Sequence, residues 1–401
     1  MIVLDDRRTS AGTDARPLTG RDMLCFSHDW TGDPLSKTHL MRLLARDNRV
    51  LWVNSIGYRA PTATATDVGR AWRKLKAAAA PMSEPVPNLH VLNPLAVPAW
   101  GSAAVRAFNR KFLRWQVRRA MRKLGFRWPI NWVFNPAAAV LAGQLGEDRL
   151  IYYCVDEYTA FSGVPSESLI AMERDLCRRA DLVIVSAERL FRSKGGYNPR
   201  TFLVRHGVDF DHFRRALHPE TVVPDDIRDL PRPVIGYFGL MAPDWVDVPL
   251  LEAVAKHFAG GSLVLMGKAA MDLGPLMRLP NVHVLGRKPY ETLPAYCKGF
   301  DLAIIPFPIS EVTLNANPLK AREYLAAGLP VVSTAIPEVE VLGQCGIGRT
   351  PDEFIQRIEE AFERPGPDLA RSEAMKSEGW AARLEEVCGH FARLPAREDR
   401  P

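Results

Sequence analysis

Two stretches of the chain combine residue types and spacing suited to chemistry. The first is NPLKAREYLAAGLPVVST, residues 317–334. It opens with Asn317-Pro318. Proline fixes φ and lacks a donor, so it suits the first turn of a helix. Leu319, Ala321, Tyr324, Leu325 and Ala326 then supply an apolar stripe at helical spacing. Gly328 and Pro330 give the stop signal, and the β-branched run 329–333 reads as a buried parallel strand. The free N–H groups and positive dipole end of the helix start attract an anion, phosphate above all. Lys320 stands in that first turn, where a cation is unfavourable unless an anion is near. Glu323 lies three residues on and faces about the same way. A lysine for phosphate and a glutamate for ribose hydroxyls would together hold a nucleotide diphosphate. An ordinary αβ unit with a surface Lys–Glu pair has the same spacing. The second stretch is LIYYCVDEYTAF, where Asp156 and Glu157 follow a strand. Catalytic groups gather at the carboxyl ends of parallel strands. A carboxylate there can take a proton from an attacking hydroxyl; it can also simply cap the next helix.

The elements that must position these residues follow a repeating pattern. DMLCFSH, residues 22–28, reads as a strand; a loop, a helix and the strand VLWVN follow. His28, Asp29 and Trp30 lie in the first loop, at a carboxyl end where a substrate could be met, or where a packed Trp braces a polar loop. The loop lacks GxGxxG, which argues against a dinucleotide-binding dehydrogenase. INWVFN, LIYYCV and DLVIVS are further strands. TFLVRHGVDFDHF contains Asp209-Phe210-Asp211. Two carboxylates alone make a poor Mg²⁺ site, so this pair reads as a linker turn with a helix-capping Asp. A second sheet begins with PVIGYFGLM, where Gly236 and Gly239 let backbone approach a ligand closely. SLVLMGKAA is not a P-loop, because its glycine spacing is wrong and Lys268 precedes Ala.

At 401 residues, with 47% hydrophobic and 24% charged residues, the chain has room for two globular domains. No apolar run approaches the ~20 residues of a membrane span. Six scattered cysteines without a CxxC pair fit free thiols in a cytoplasmic protein. The N-terminal 20 residues read as a disordered tail. The formal charge is +6. Between Arg70 and Lys123 basic residues crowd together with almost no acid, which suggests an anionic partner. Within that stretch, residues 103–125 combine Val105, Phe108, Phe112 and Trp115 along one side with Arg110, Lys111, Arg114, Arg118 and Arg122 mostly elsewhere. A helix lying on an anionic membrane has that composition; so does a domain helix with a solvated basic face.

The 317–334 stretch resembles the donor-binding signature of GT-B glycosyltransferases, particularly bacterial enzymes of polysaccharide and teichuronic acid synthesis. HGVD at 206–209 resembles the NGVD element that closes their N-terminal domain. SEGWAARLEEVCGHFARL resembles their terminal helix, with Trp380 at the hinge. The resemblance spans residues 22 to about 394 and is carried most by 281–334. It implies an α/β GT-B fold, two Rossmann-like doubly wound domains facing a cleft. The boundaries are a tail at 1–20, an acceptor-binding domain at 21–215, a linker at 216–232, a nucleotide-sugar-binding domain at 233–376, and a helix crossing back at 377–395. Lys320 would grip the diphosphate with the Pro318-Leu319 backbone and Gly239, and Glu323 would hold the ribose. Arg287 and Tyr290 would pack on the base. Many relatives carry a second Glu where this chain has Asn315, so Glu311 or Asn317 would take over its contact with the transferred sugar. Trp245 and Asp247 stand where relatives have Arg and Lys, which shifts the phosphate onto Lys320. Asp156 would be the base, with Glu157 second, and the His28, Asp29, Trp30 loop would face the acceptor. The activity implied is transfer of a sugar from a nucleotide-sugar, a UDP-sugar, to a bacterial glycan or polyprenyl-linked acceptor in cell-surface polysaccharide synthesis. No cofactor, metal or nucleic acid is expected. The location implied is cytoplasmic and peripheral on the plasma membrane, through residues 70–123. A UDP-sugar 2-epimerase on the same fold, or a non-catalytic protein that binds anionic surfaces, are the alternatives. The transferase reading requires the helix start at 317–319 to face an interdomain gap.

Overall fold

The computed structural model describes residues 18–56, 81–97, 102–161 and 166–395. Most of the expected N-terminal tail, and the short basic segment at 68–80, lie outside the described residues.

Short apolar runs build two parallel sheets. The first comprises β1 Asp22–Phe26, β2 Arg49–Val53, β3 Ser83–Val86, β4 Leu89–Leu92, β5 Ile130–Val133, β6 Arg149–Cys154, β7 Leu182–Val185 and β8 Thr201–Leu203. Their spatial order is β3-β4-β2-β1-β5-β6-β7-β8. Every pairing is parallel except β3 with β4. The second sheet contains β9 Val234–Phe238, β10 Ser262–Met266, β11 Val282–Gly286, β12 Leu302–Ile305, β13 Val331–Thr334 and β14 Gly346–Gly348, in the order β11-β10-β9-β12-β13-β14. Strands such as LVIV and SLVLM are buried along their whole length, because helices cover both faces. The edge strand β3 pairs antiparallel with β4, and Asn88 turns the chain between them with φ 65°.

The strand orders fix where ligands can go. In an open α/β sheet, the crevice lies where the order reverses, at the carboxyl ends of the strands. In the first sheet that point is between β1 and β5, and the loop after β1 borders it. In the second it is between β9 and β12, so Gly239 and the 306–318 segment flank it.

The helix Trp380–Ala392 returns to the first sheet. Trp380, Val387 and Cys388 share a core with Met23, Trp132 and Ile184. The Trp380 ring stacks on His39, with centroids 5.4 Å apart. Other ties also cross between the sheets. The Asn317 amide donates to the Ser186 carbonyl at 2.7 Å, and His206 Nδ1 lies 2.9 Å from the Asn317 carbonyl. Glu338, 2% exposed, accepts from Glu188 N–H and Arg205 Nε, each at 2.7 Å.

The helix Ala103–Leu124 covers the first sheet, capped by Ser102 at one end and by left-handed Gly125 (φ 66°) at the other. Its packed face carries Asn109, Leu113, Val117 and Ala120. Much of the aromatic stripe faces outward: Phe108 and Trp115 are each 54% exposed. Phe112 stacks between them at 5.6 and 6.0 Å, and the Arg119 guanidinium lies 5.8 Å from the Trp115 ring. Among the described residues, no helix is long and apolar enough to cross a membrane.

Candidate active site

One side of the candidate site is assembled at the end of β9. Gly239 has φ 153°, a conformation L side chains rarely adopt, and its N–H donates to the Met266 carbonyl at 2.8 Å. A Cβ at position 239 would lie 2.2 Å from Lys320 Cε and 2.8 Å from Nζ. The missing side chain is therefore the space in which the lysine head sits. Lys320 Nζ is 5.9 Å from the Tyr237 ring centroid and 5.7 Å from that of Phe307, both within cation–π range.

The Lys320 ammonium makes no hydrogen bond and no ion pair within 4 Å among the described residues. Burial lowers its pKa, and Glu323 works against that shift. Glu323, also half-buried and without an ion pair among the described residues, is pushed up to about 7. Burial is the main cause; Lys320 opposes it, while Asp209 and Asp33 add to it.

The helix Leu319–Ala326 begins at Pro318 (φ −65°), and no side chain caps its first turn. Asn317 and Pro318 are buried and Leu319 packs on the core of the first sheet, while Lys320 and Glu323 remain partly exposed. The helix start thus stands on the seam between the two sheets.

The opposite wall carries Asp156, directly after β6. It is half-buried, and its carboxylate makes no hydrogen bond or ion pair within 4 Å among the described residues. Burial raises its pKa and Lys37 lowers it. Its neighbour Glu157 is fully employed: Lys194 Nζ reaches one oxygen at 2.9 Å and Thr159 Oγ1 the other at 2.7 Å. The same Lys194 bridges to Glu173 at 2.8 Å, and Glu173 accepts from Tyr152. Glu157 is therefore a strut for the loop, and of the two carboxylates only that of Asp156 is without such a partner among the described residues. His28 is half-buried, and burial, aided by Lys37, holds its pKa down at about 3, so it is neutral. Trp30 packs edge-on against Trp52 at 5.0 Å, and Asp29 accepts from the Ser55 N–H at 3.1 Å; both brace the loop.

Several residues expected at the donor have other employment. The Asn317 amide donates to Ser186, and Arg322 Nη1 donates to its Oδ1 at 2.8 Å, so the residue ties the two sheets together. Tyr290 is stacked face to face on His212 at 4.3 Å, with Phe213 edge-on at 5.7 Å, so one face of its ring is covered. Arg287 reaches across the cleft to Asp33 at 2.7 Å. Buried Asn315 donates to the Glu311 carbonyl at 2.7 Å. Glu311 meets Arg189 of the other domain at 3.2 Å, an exposed pair that a ligand could readily displace. Asp209 occupies an N-cap position without making a cap hydrogen bond; its carboxylate instead lies 3.9 Å from His39 Nδ1. Among the described residues, no cluster of three His, Cys, Asp or Glu side chains is placed to hold a metal. Sequence reasoning missed Lys37, although its signal matches that of Lys320: a lysine in the first turn of a helix that follows a strand-end loop.

Residues 232–364 match the family described as Glycosyl transferases group 1. The chain is 22% identical over 281 residues to TuaH of Bacillus subtilis, a protein named for teichuronic acid biosynthesis glycosyltransferase activity; the match covers 64% of this chain and 70% of that one. Sucrose-phosphate synthase from Thermosynechococcus elongatus superposes with a TM-score of 0.66 at 15% identity, covering 93% of this chain and 99% of that one. HepE of Anabaena in complex with UDP gives 0.63 at 16%, covering 94% and 100%. A UDP-forming trehalose-phosphate synthase from Burkholderia xenovorans gives 0.65 at 13%, covering 94% and 99%. The fold is GT-B. Matched domain, relatives and fold together make this chain a glycosyltransferase.

The raised pKa of Glu323 has a consequence for stability. Its carboxyl ordinarily titrates near 4.5 and here near 7, so the folded chain holds more protons than the unfolded one between those values. Stability contributed by this group is present at low pH and lost as pH rises through about 7. Glu323→Gln should therefore melt close to wild type at about pH 5 and progressively above it toward about pH 8. Thermal melts across that range check this, and a flat or reversed trend would contradict it.

Proposed function

We propose that the chain transfers a sugar from a UDP-sugar to a bacterial glycan or lipid-linked acceptor during cell-surface polysaccharide synthesis, working peripherally on the inner face of the plasma membrane. The observation that carries this reading is Lys320, desolvated and unpaired at an uncapped helix start, with its head lying in the space left by Gly239. A partly buried ammonium without a counter-ion is unfavourable and calls for an anion. The departing UDP develops negative charge on its β-phosphate as the glycosidic bond breaks. Lys320 and the first-turn N–H groups of its helix would stabilise that charge where it forms, usually a large part of catalysis. Glu323 would accept hydrogen bonds from the ribose. Asp156 would take the proton of the acceptor hydroxyl as it attacks. The complexes of HepE with UDP and with UDP and glucose support UDP as the nucleotide. The TuaH match supports a surface-polymer acceptor.

Lys320→Ala should lower transfer from UDP-sugars by at least about a hundredfold while leaving the circular dichroism spectrum unchanged, the scale expected for losing one charge-stabilising donor. Unchanged turnover would falsify the assignment.

The membrane reading rests on the outward ridge of Phe108, Phe112 and Trp115 on a helix that carries eight Arg and Lys residues and no acid. Such a face suits the headgroup region of an anionic bilayer. The chain should co-sediment with phosphatidylglycerol vesicles and not with phosphatidylcholine vesicles. The double variant Phe108→Ser, Trp115→Ser should lose most of that binding and keep its thermal shift with UDP. Equal binding by variant and wild type would rule the ridge out.

A further inference from the structure

Lys37 lies in the first turn of the helix Ser36–Leu44 and is only 9% exposed. Its ammonium makes no hydrogen bond and no ion pair within 4 Å among the described residues, and the N-cap residue Leu35 has no side-chain acceptor for the first-turn N–H groups. Lys194, also buried, is treated differently: it has two carboxylates within 3 Å. The helix N-terminus adds positive potential, so its dipole does not compensate the charge of Lys37. The Lys37 ammonium acts on Asp156, Cys25, His28 and His206; Asp156 and His28 follow β6 and β1 at the carboxyl end of the first sheet, while Cys25 is buried within β1.

His206 supplies a second, independent observation. It is 6% exposed, and its Nδ1 lies 2.9 Å from the Asn317 carbonyl. That nitrogen must therefore carry the hydrogen, leaving Nε2 as a lone-pair acceptor. Nε2 is buried and has no hydrogen-bond partner. An acceptor in that state is satisfied by a hydroxyl. A cation that lacks an anion and an imidazole that lacks a hydroxyl stand in the same wall as the proposed base.

We infer that Lys37, the start of its helix and His206 bind an acceptor that is itself an acidic sugar: the anionic group lies on Lys37 and a hydroxyl on His206 Nε2, with the attacking hydroxyl at Asp156. The inference rests on the transferase reading and names the chemical class of its acceptor. The donor diphosphate is served from the other sheet by Lys320, whose surroundings include Glu323, Tyr237 and Phe307 and not Lys37. The anionic group is a phosphoryl or a carboxylate. Both take a charge-assisted hydrogen bond from an ammonium.

The test is calorimetry on the full chain saturated with UDP, titrated with glucose 1-phosphate, glucuronate or glucose. One of the two acidic sugars should bind at least about tenfold more tightly than glucose, and the one that does so identifies the group as phosphoryl or carboxylate. Lys37→Met should abolish that preference while leaving UDP affinity within about threefold, and Lys37→Arg should keep most of the preference. Methionine removes a desolvated charge at similar volume, so this variant should melt no lower than wild type. The inference is overturned if neither acidic sugar outbinds glucose, if Lys37→Met keeps the preference, or if Lys37→Met loses more than about tenfold in UDP affinity, which would make Lys37 a donor ligand. Wild type that fails to bind UDP at all would instead overturn the proposed function.

Discussion

The structure is arranged around a charge without a counter-charge. Lys320 is held in the space above Gly239, between two aromatic rings, where burial weakens its hold on a proton. Folding gains nothing from this. A methionine would fill the same volume without a desolvation cost, and natural proteins accept such costs where function needs them. Glu323, one turn on, is strained the same way with the opposite sign. The two stay unpaired within 4 Å of any partner among the described residues, so both remain available to a ligand.

The rest of the fold keeps that helix start in place. β9 and β12 flank the point where the strand order reverses, which brings Gly239 and the segment leading to Lys320 together. Asn317, just before the helix, is bonded to Ser186 of the other sheet, so the start of the helix is anchored from the first-sheet domain. Lys194, Glu157 and Glu173 do the equivalent work on the facing wall, locking the loop that carries Asp156. Each wall holds a lysine in the first turn of a helix at a switch point. The cleft therefore has two cationic centres supplied by two different sheets.

What was legible in the sequence was local. Apolar runs of four to six residues marked most strands, and Gly239, Lys320 and Glu323 stood out because short-range rules apply to them. What was not legible depended on distant partners. The pairing of Glu157 with Lys194, 37 positions later, has no local signal. Neither has the bond from the Asn317 amide to Ser186, 131 positions earlier. Arg287 finds Asp33 across 254 positions. Periodicity showed that Ala103–Leu124 had an aromatic stripe, but could not say which stripe would pack. Asn109 and Leu113 took the sheet and left Phe108 and Trp115 outside. Lys37 was legible by the rule that singled out Lys320, but its burial was not.

The most direct measurement is the calorimetric affinity of UDP set against that of uridine, in wild type and in Lys320→Met. The two ligands differ by the diphosphate alone. If the ammonium of Lys320 is its cradle, wild type prefers UDP by at least about tenfold, and the variant loses most of that preference while uridine binds both proteins alike. An undiminished preference in Lys320→Met would mean that the diphosphate is held elsewhere, and would contradict the role assigned to this lysine and its helix start.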